Sequence, residues 1–328
     1  MKRLITFCFL VLTASILSHS EISLYYAFTG LTLWFDKMIP TLLPFMILSG
    51  IMIRLKLSEG FTVFVYPVVK PVFRVSKNVC YAMIIGFLCG FPMGAKTIRD
   101  LYARQLIVKW EADYLLAFCN NIGPVYFCGF VLPLLQRRLI APYLLGMYGL
   151  PLLYGLVLRY TKYRNQQNTQ RDYTPASAVF VTDNGSILDG AGKVQCAEND
   201  TKWLLQLLIA ADESIYSSLQ SILTLGGYMI LFNLLNLVPH IILGSTPYIL
   251  APLFEITGGL KLLKNTMPLY ALLLLPFGGL SCLAQTYSCI KGTDLSIADY
   301  TVHKLILAGI TGLYYLCWYM LSSSSFMR

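Results

Sequence analysis

The sequence predicts an all-α polytopic membrane protein made of two inverted repeats with broken or re-entrant transmembrane helices. Three observations predict it. Hydrophobic residues make up 56% of the 328 positions and charged residues only 12%, about half the ~25% usual in globular chains. Long apolar runs alternate with short basic connectors, the pattern of helices that cross lipid. Several of those runs are interrupted by glycine, proline and paired polar residues, and the interruptions recur in the two halves, a pointer to a transporter-like repeat with a central site.

In order along the chain, residues 4–19 form a first span. Lys2 and Arg3 precede it, and it reads as an uncleaved helix with its basic start inside rather than a signal peptide. Residues 22–37 are mixed and end in Trp34-Phe35-Asp36-Lys37, a combination suited to the interface. Residues 38–55 can span, with a kink from Pro40, Pro44 and Gly50. A basic connector, 56–77, leads to the interrupted apolar run 79–95, the polar helical stretch 96–111, the broken run 112–135 and a further span at 140–158. Residues 159–201 are polar and rich in Gln, Asn, Thr, Asp and Gly, a composition that reads as a flexible loop. Beyond it, 203–216 has helical periodicity and precedes a span at 219–238. The runs 241–256 and 268–287 contain Pro247, Pro252, Pro276 and Gly278-Gly279, and 298–321 is the last span.

The organisation is therefore an N-terminal membrane half (1–158), a polar loop (159–201) and a C-terminal membrane half (202–328). Asp36 and Glu213 begin similar runs that reach Gly50 and Gly227. Cys89 to Lys96 pairs by offset with Gly278 to Gln285, which sets Lys96 opposite Gln285. The basic connectors place 56–77, 96–111 and the 159–201 loop on one side, the cytoplasm. Residues 79–95 must then turn back rather than cross.

A break at membrane depth frees backbone groups that must face protein or a wet cavity. Gly90 and Gly94 permit turns and close approach, and Pro92 removes a donor. A helix starting there would present amides to the cavity, with Lys96 one turn inside, and the two together would suit an anion. The alternative is helix packing, with Lys96 reaching toward the headgroups. Asn120 and Asn121 offer donors and acceptors before Gly123-Pro124, either lining a solute path opposite Lys96 or satisfying the backbone freed by the break. Glu255 follows a run containing two prolines, where it could bind a cation or polar solute or carry a proton, or sit at the surface. Gln285 is a neutral polar residue inside an apolar run.

The remaining composition excludes other classes. The net charge of +9 lies in connectors, as positive-inside bias and lipid-headgroup contact produce, and no nucleic-acid partner is expected. Nine cysteines form no C-x-x-C pair, so they read as small buried hydrophobes, with no metal and no cofactor. Zincin, P-loop, Rossmann and nucleophile-elbow motifs are all missing from the sequence. The reading is not an enzyme.

Four motifs in order carry a resemblance over nearly the full chain. They are Gly90-Phe91-Pro92-Met93-Gly94-Ala95-Lys96 with Asp100-Leu101-Tyr102 after it, Cys119-Asn120-Asn121-Ile122-Gly123-Pro124, Leu253 to Gly258, and Gly278-Gly279-Leu280-Ser281 followed by Ala284-Gln285. They resemble the sporulation membrane proteins of the nucleoside-recognition, or Gate, domain superfamily. That superfamily also includes the spore maturation proteins and the gate regions of ferrous iron transporters. Leu283 stands where relatives often carry His, so a role for that imidazole does not transfer. The resemblance implies a multi-pass protein of the bacterial cell membrane, in the mother cell or forespore, acting in spore cortex formation. Two functions fit: a transporter or gated channel for a small polar or anionic solute, or a non-transporting scaffold that recruits cortex-assembly proteins. Membrane lipids, other sporulation membrane proteins and a second copy of the chain are the expected partners.

Overall fold

The computed structural model describes residues 2–135, 141–166 and 195–323. The structure is helical, with no strand among the described residues. Among the described residues four helices are long and apolar enough to cross a membrane, and five if one bent pair is counted. Most of the polar loop, residues 167–194, lies outside the described residues.

Helix α1 (Lys2–Ser18) bends at His19 into α2 (Ser20–Arg54). The mixed segment and second span expected from the sequence are one 35-residue helix. Trp34–Met38, expected at an interface, form a π-helical turn within it, where the Ile39 amide bonds to the Trp34 carbonyl. Pro40 and Pro44 follow directly, and the widened turn adjusts the hydrogen-bond ladder just ahead of those missing donors. Helix α3 (Tyr66–Phe73) meets α4 (Lys77–Cys89) at 104°. Then come α5 (Met93–Ala103), α6 (Lys109–Phe118), α7 (Pro124–Leu135) and α8 (141–160).

The second half begins with α9 (Gln195–Leu234) and α10 (Leu237–Leu243). It continues with α11 (Ala251–Phe254), α12 (Ile256–Leu263), α13 (Pro268–Leu274), α14 (Gly279–Ile290) and α15 (Ile297–Ser323).

Side-chain contacts sort the helix ends into two groups. At the first end, Arg54 pairs with Glu213 (2.9 Å), Ser58 bonds Asn78 (3.1 Å), Asn78 bonds the Leu106 carbonyl (3.3 Å), Arg159 bonds the Phe73 carbonyl (3.0 Å) and Lys109 pairs with Asp294 (2.8 Å). At the second, Tyr26 bonds His240 (2.8 Å), and Tyr314 and Tyr315 bond the carbonyls of Pro142 and Tyr143 (3.0 and 2.8 Å). So α2 and α9 run antiparallel, and the connectors 56–77 and 104–108 share the first end. The chain turning at Leu237 sits at the second.

From these ends the inverted repeat follows. In the first half α2 crosses, α4 and α5 form a hairpin that enters from the first end and returns to it, α6 and α7 make a broken crossing, and α8 crosses back. In the second half α9 crosses, α11 and α12 form a hairpin from the second end, α13 and α14 make a broken crossing, and α15 crosses back. Residues 79–95 do turn back, as the charge pattern requires. The pairing of motifs is corrected. Gly90-Phe91-Pro92 is a hairpin tip, and its counterpart is the tip at Glu255. Gly278-Gly279 belongs to a broken crossing, and its counterpart is Asn120 to Pro124. The two glycine runs share a composition because both stop a helix, although one reverses the chain and the other lets it through.

Candidate functional site

Both hairpin tips and both breaks converge at the centre. Gly90 has φ +80°, and a Cβ there would press on the Gly123 backbone and lie 2.9 Å from the Asn121 carbonyl oxygen; only glycine fits. The Phe91–Pro92 peptide is cis, and the Phe91 amide donates to the Asn121 carbonyl (2.6 Å). The first tip is thus sewn onto the first break.

Two cavities flank this junction. A central chamber of about 50 Å³ lies between the tips, with Phe91, Tyr126, Met229, Glu255, Cys282 and Gln285 in its wall. A polar vestibule of about 200 Å³ runs toward the first end, lined among others by Pro92, Lys96, Arg99, Ser217, Gln220 and Lys291. Leu225 and Gln285 border both.

The expected site residues fall into three groups. Pro92, Lys96 and Gln285 line the vestibule. Lys96 is buried, and its ammonium bonds Asp100 and Ser217, each at 3.1 Å. Asp100 also pairs with Arg99 (3.0 Å). The Lys96 charge is therefore largely compensated rather than presented free to an anion. Gln285 donates to Ser281 (2.8 Å), which leaves its carbonyl side available at the boundary of the two cavities.

Glu255 is buried at the second tip and caps α12, accepting from the amides of Thr257 (3.1 Å) and Gly258 (2.6 Å) and from Asn233 Nδ2 (3.1 Å). Three donors hold a carboxylate well without a cation. Its position is the chamber wall and not the surface. Tyr126 donates to Thr257 (3.1 Å), tying the second tip to the helix that leaves the first break.

Gly90, Gly94, Asn120 and Asn121 line neither cavity. Asn120 Oδ1 accepts from the Ala95 amide (3.2 Å), and its Nδ2 donates to Thr286 (3.1 Å) and Tyr300 (2.9 Å). A Cβ on Gly94 would lie 2.9 Å from that same Oδ1. The start of α5, expected to offer amides to a ligand, is capped by Asn120 instead. Asn121 donates to the Phe118 carbonyl (2.5 Å) and accepts from Lys304 (2.9 Å). The paired asparagines satisfy the backbone that the break releases, and they do not face Lys96 across a cavity.

Sequence reasoning missed Asn233 and Lys304. Asn233 is one polar residue in a long apolar helix. Lys304 lies near the start of the last span and is wholly buried, with the Phe91 and Tyr300 rings beside it. An ionisable residue inside a span is itself the signal. Among the described residues no cluster of His, Cys, Asp and Glu could hold a metal.

The convergent tips, the broken crossings and the helix count describe an integral membrane protein. No family model matches the chain, and no solved structure matches it. Among curated proteins it is 28% identical over 331 aligned residues, 92% of this chain and 79% of the relative, to the sporulation integral membrane protein YlbJ of Bacillus subtilis (strain 168). In agreement with the motif order, this chain is similar over 92% of its length to YlbJ, a sporulation integral membrane protein.

Proposed function

We propose that the protein moves a small polar solute across a bacterial membrane during spore formation, with the solute held in the chamber between the two hairpin tips. One observation carries the reading: a polar vestibule leads from the first end to the point where both tips meet, and Gln285 and Leu225 stand between vestibule and chamber. A scaffold has no use for hydroxyls and amides directed into an internal path. Lys96, Arg99 and Lys291 give the vestibule basic character, and the excess of Lys and Arg in the connectors at the first end makes it the cytoplasmic end. Inverted repeats supply the machinery, since rocking one half against the other would close the first end and open the second. The sporulation context comes from the name of the relative. Cortex formation, at the mother-cell or forespore membrane, is the step that the Gate-superfamily resemblance implies. The test is uptake by purified protein in liposomes, screened over inorganic and organic anions, nucleosides and cell-wall precursors. Saturable uptake of one class, reduced by Gln285→Ala, supports the reading. No uptake of any class by protein shown to be folded overturns it.

A further inference from the structure

Lys304 is a buried charge that the transport path does not use. It lies in α15, fully buried, and donates to the Asn120 carbonyl and to Asn121 Oδ1 (2.9 Å) at the first break. Its Nζ is 5.3 Å from the ring centre of Phe91 and 5.6 Å from that of Tyr300. Among the described residues no carboxylate pairs with it. The titratable groups that face it are the thiols of Cys119 at the end of α6 and Cys282 on α14, and the phenol of Tyr300 on α15 itself. Two oxygens take two of the three N–H groups, and aromatic faces surround the third. A neutral amine still has two N–H groups. The third proton can leave while both hydrogen bonds remain.

There is also somewhere for that proton to go. Tyr300 lines a third cavity, about 250 Å³, at the first end, together with Trp110, Asp113, Lys162, Tyr163, Asp299 and His303. Phe91, on the other flank, lines the central chamber. Tyr300 is thus shared by Lys304 and the cavity at the first end, and Phe91 is shared by Lys304 and the candidate solute site.

We propose that Lys304 is a proton-binding site that exchanges with the first end through the cavity of Asp113 and Asp299. The step is a simple transfer: when the Tyr300 ring moves aside, the proton passes from Nζ to cavity water and on to the aspartate carboxylates. The nitrogen keeps its lone pair and its two donors on Asn120 and Asn121. The charged form holds the carbonyl of the break strongly, and the neutral form holds it weakly, so proton binding sets how firmly the first tip and break are joined. Taken with the transport reading, and resting on it for this point alone, the proton becomes the coupling ion.

The test is a titration of wild-type protein in nanodiscs carrying lysine labelled with ¹³C at Cε. The Lys304 resonance is assigned by its loss in Lys304→Arg. If that variant does not fold, nuclear Overhauser contacts to the Phe91 and Tyr300 rings assign it in the wild type. The expected result is a reversible, pH-dependent change between ammonium and amine at this resonance. A resonance that stays ammonium throughout overturns the proposal. Asp299→Asn should slow the ammonium–amine exchange several-fold, and an unchanged rate overturns the cavity as the route. Neither measurement needs a transported solute, so failure of the uptake screen and failure of this site are distinguishable.

Discussion

The two halves repeat one architecture but secure it by different chemistry. In the first half the hairpin tip is bare backbone: Gly90 packs on Gly123, the Phe91 amide bonds the Asn121 carbonyl, and an ammonium from the far half holds the break. In the second half the tip carries a carboxylate, Glu255, which is satisfied within its own half by two amides and Asn233. Its broken crossing passes through Gly278 and Gly279, both with positive φ. The first junction depends on close fit and on a charge brought from elsewhere, whereas the carboxylate of the second is satisfied within its own half, with Tyr126 of the first half bonding the neighbouring Thr257. An inverted pair need not be a chemical pair.

The sharpest way to break this comparison is to add one methyl group to each half. Gly90→Ala collides with backbone at positive φ, and should cost at least about 3 kcal/mol or prevent folding. Gly278→Ala shares the positive φ, but its nearest neighbour is the edge of the Phe91 ring (2.7 Å), which can yield, so about 1–2 kcal/mol is expected. Thermal unfolding in detergent ranks the two, and equal losses would remove the distinction between fitted backbone and movable side chain.

A smaller effect separates the polar anchors. Asn120→Ala strands the Ala95 amide and two hydroxyl partners, and should cost about 2–3 kcal/mol. Glu255→Gln keeps an acceptor on the helix start, and should cost about 1 kcal/mol. The same melts decide, and a larger loss at Glu255 would make the second tip the dependent one.

Lys96→Gln should be milder still in stability, because Asp100 keeps Arg99 as a partner. If the basic vestibule serves an anion, the yield of heat-resistant spores should nevertheless fall at unchanged membrane abundance. Normal yield would confine the role of Lys96 to its contacts with Asp100 and Ser217.

The smallest effect is expected at the first end. Bonds from Lys109 and then Tyr102 hold the exposed Asp294 carboxyl below its ordinary range. A lowered carboxylate contributes above its unfolded value and loses that contribution as pH falls through the folded one. Asp294→Asn should therefore melt slightly earlier than wild type at pH 7, and the gap should close in strong acid. A gap that widens with acidification would refute the pairing.

The sequence carried the class, the two-repeat plan and the reversal at 79–95, because composition and the placement of Lys and Arg are direct readouts of lipid and of membrane side. It did not carry the correspondence between repeats. Gly90 to Gly94 and Gly278-Gly279 look alike because helix breaking needs the same residues whatever the chain does next. Whether a break reverses or continues is decided by what meets it from outside: Gly123 against Gly90, Asn120 against Ala95. For the same reason the sequence left open whether Lys96 is a free cation and whether the asparagines line a solute path or satisfy the freed backbone. Their partners Ser217, Tyr300 and Lys304 are settled by packing across as many as 184 positions, whereas Asp100 lies one turn along the same helix. Glu255 was legible as a polar residue at a tip, but the donor from Asn233 was not.

The reach of Lys304 also bears on how the chain is made. The ammonium that completes the first break belongs to the last helix, 184 positions beyond the carbonyl it holds. The Asn120–Asn121 junction therefore has no charge on its carbonyl until α15 is in place. A chain cut before α15 leaves that carbonyl without its cation at the depth where lipid is least forgiving, whereas a chain that includes α15 does not.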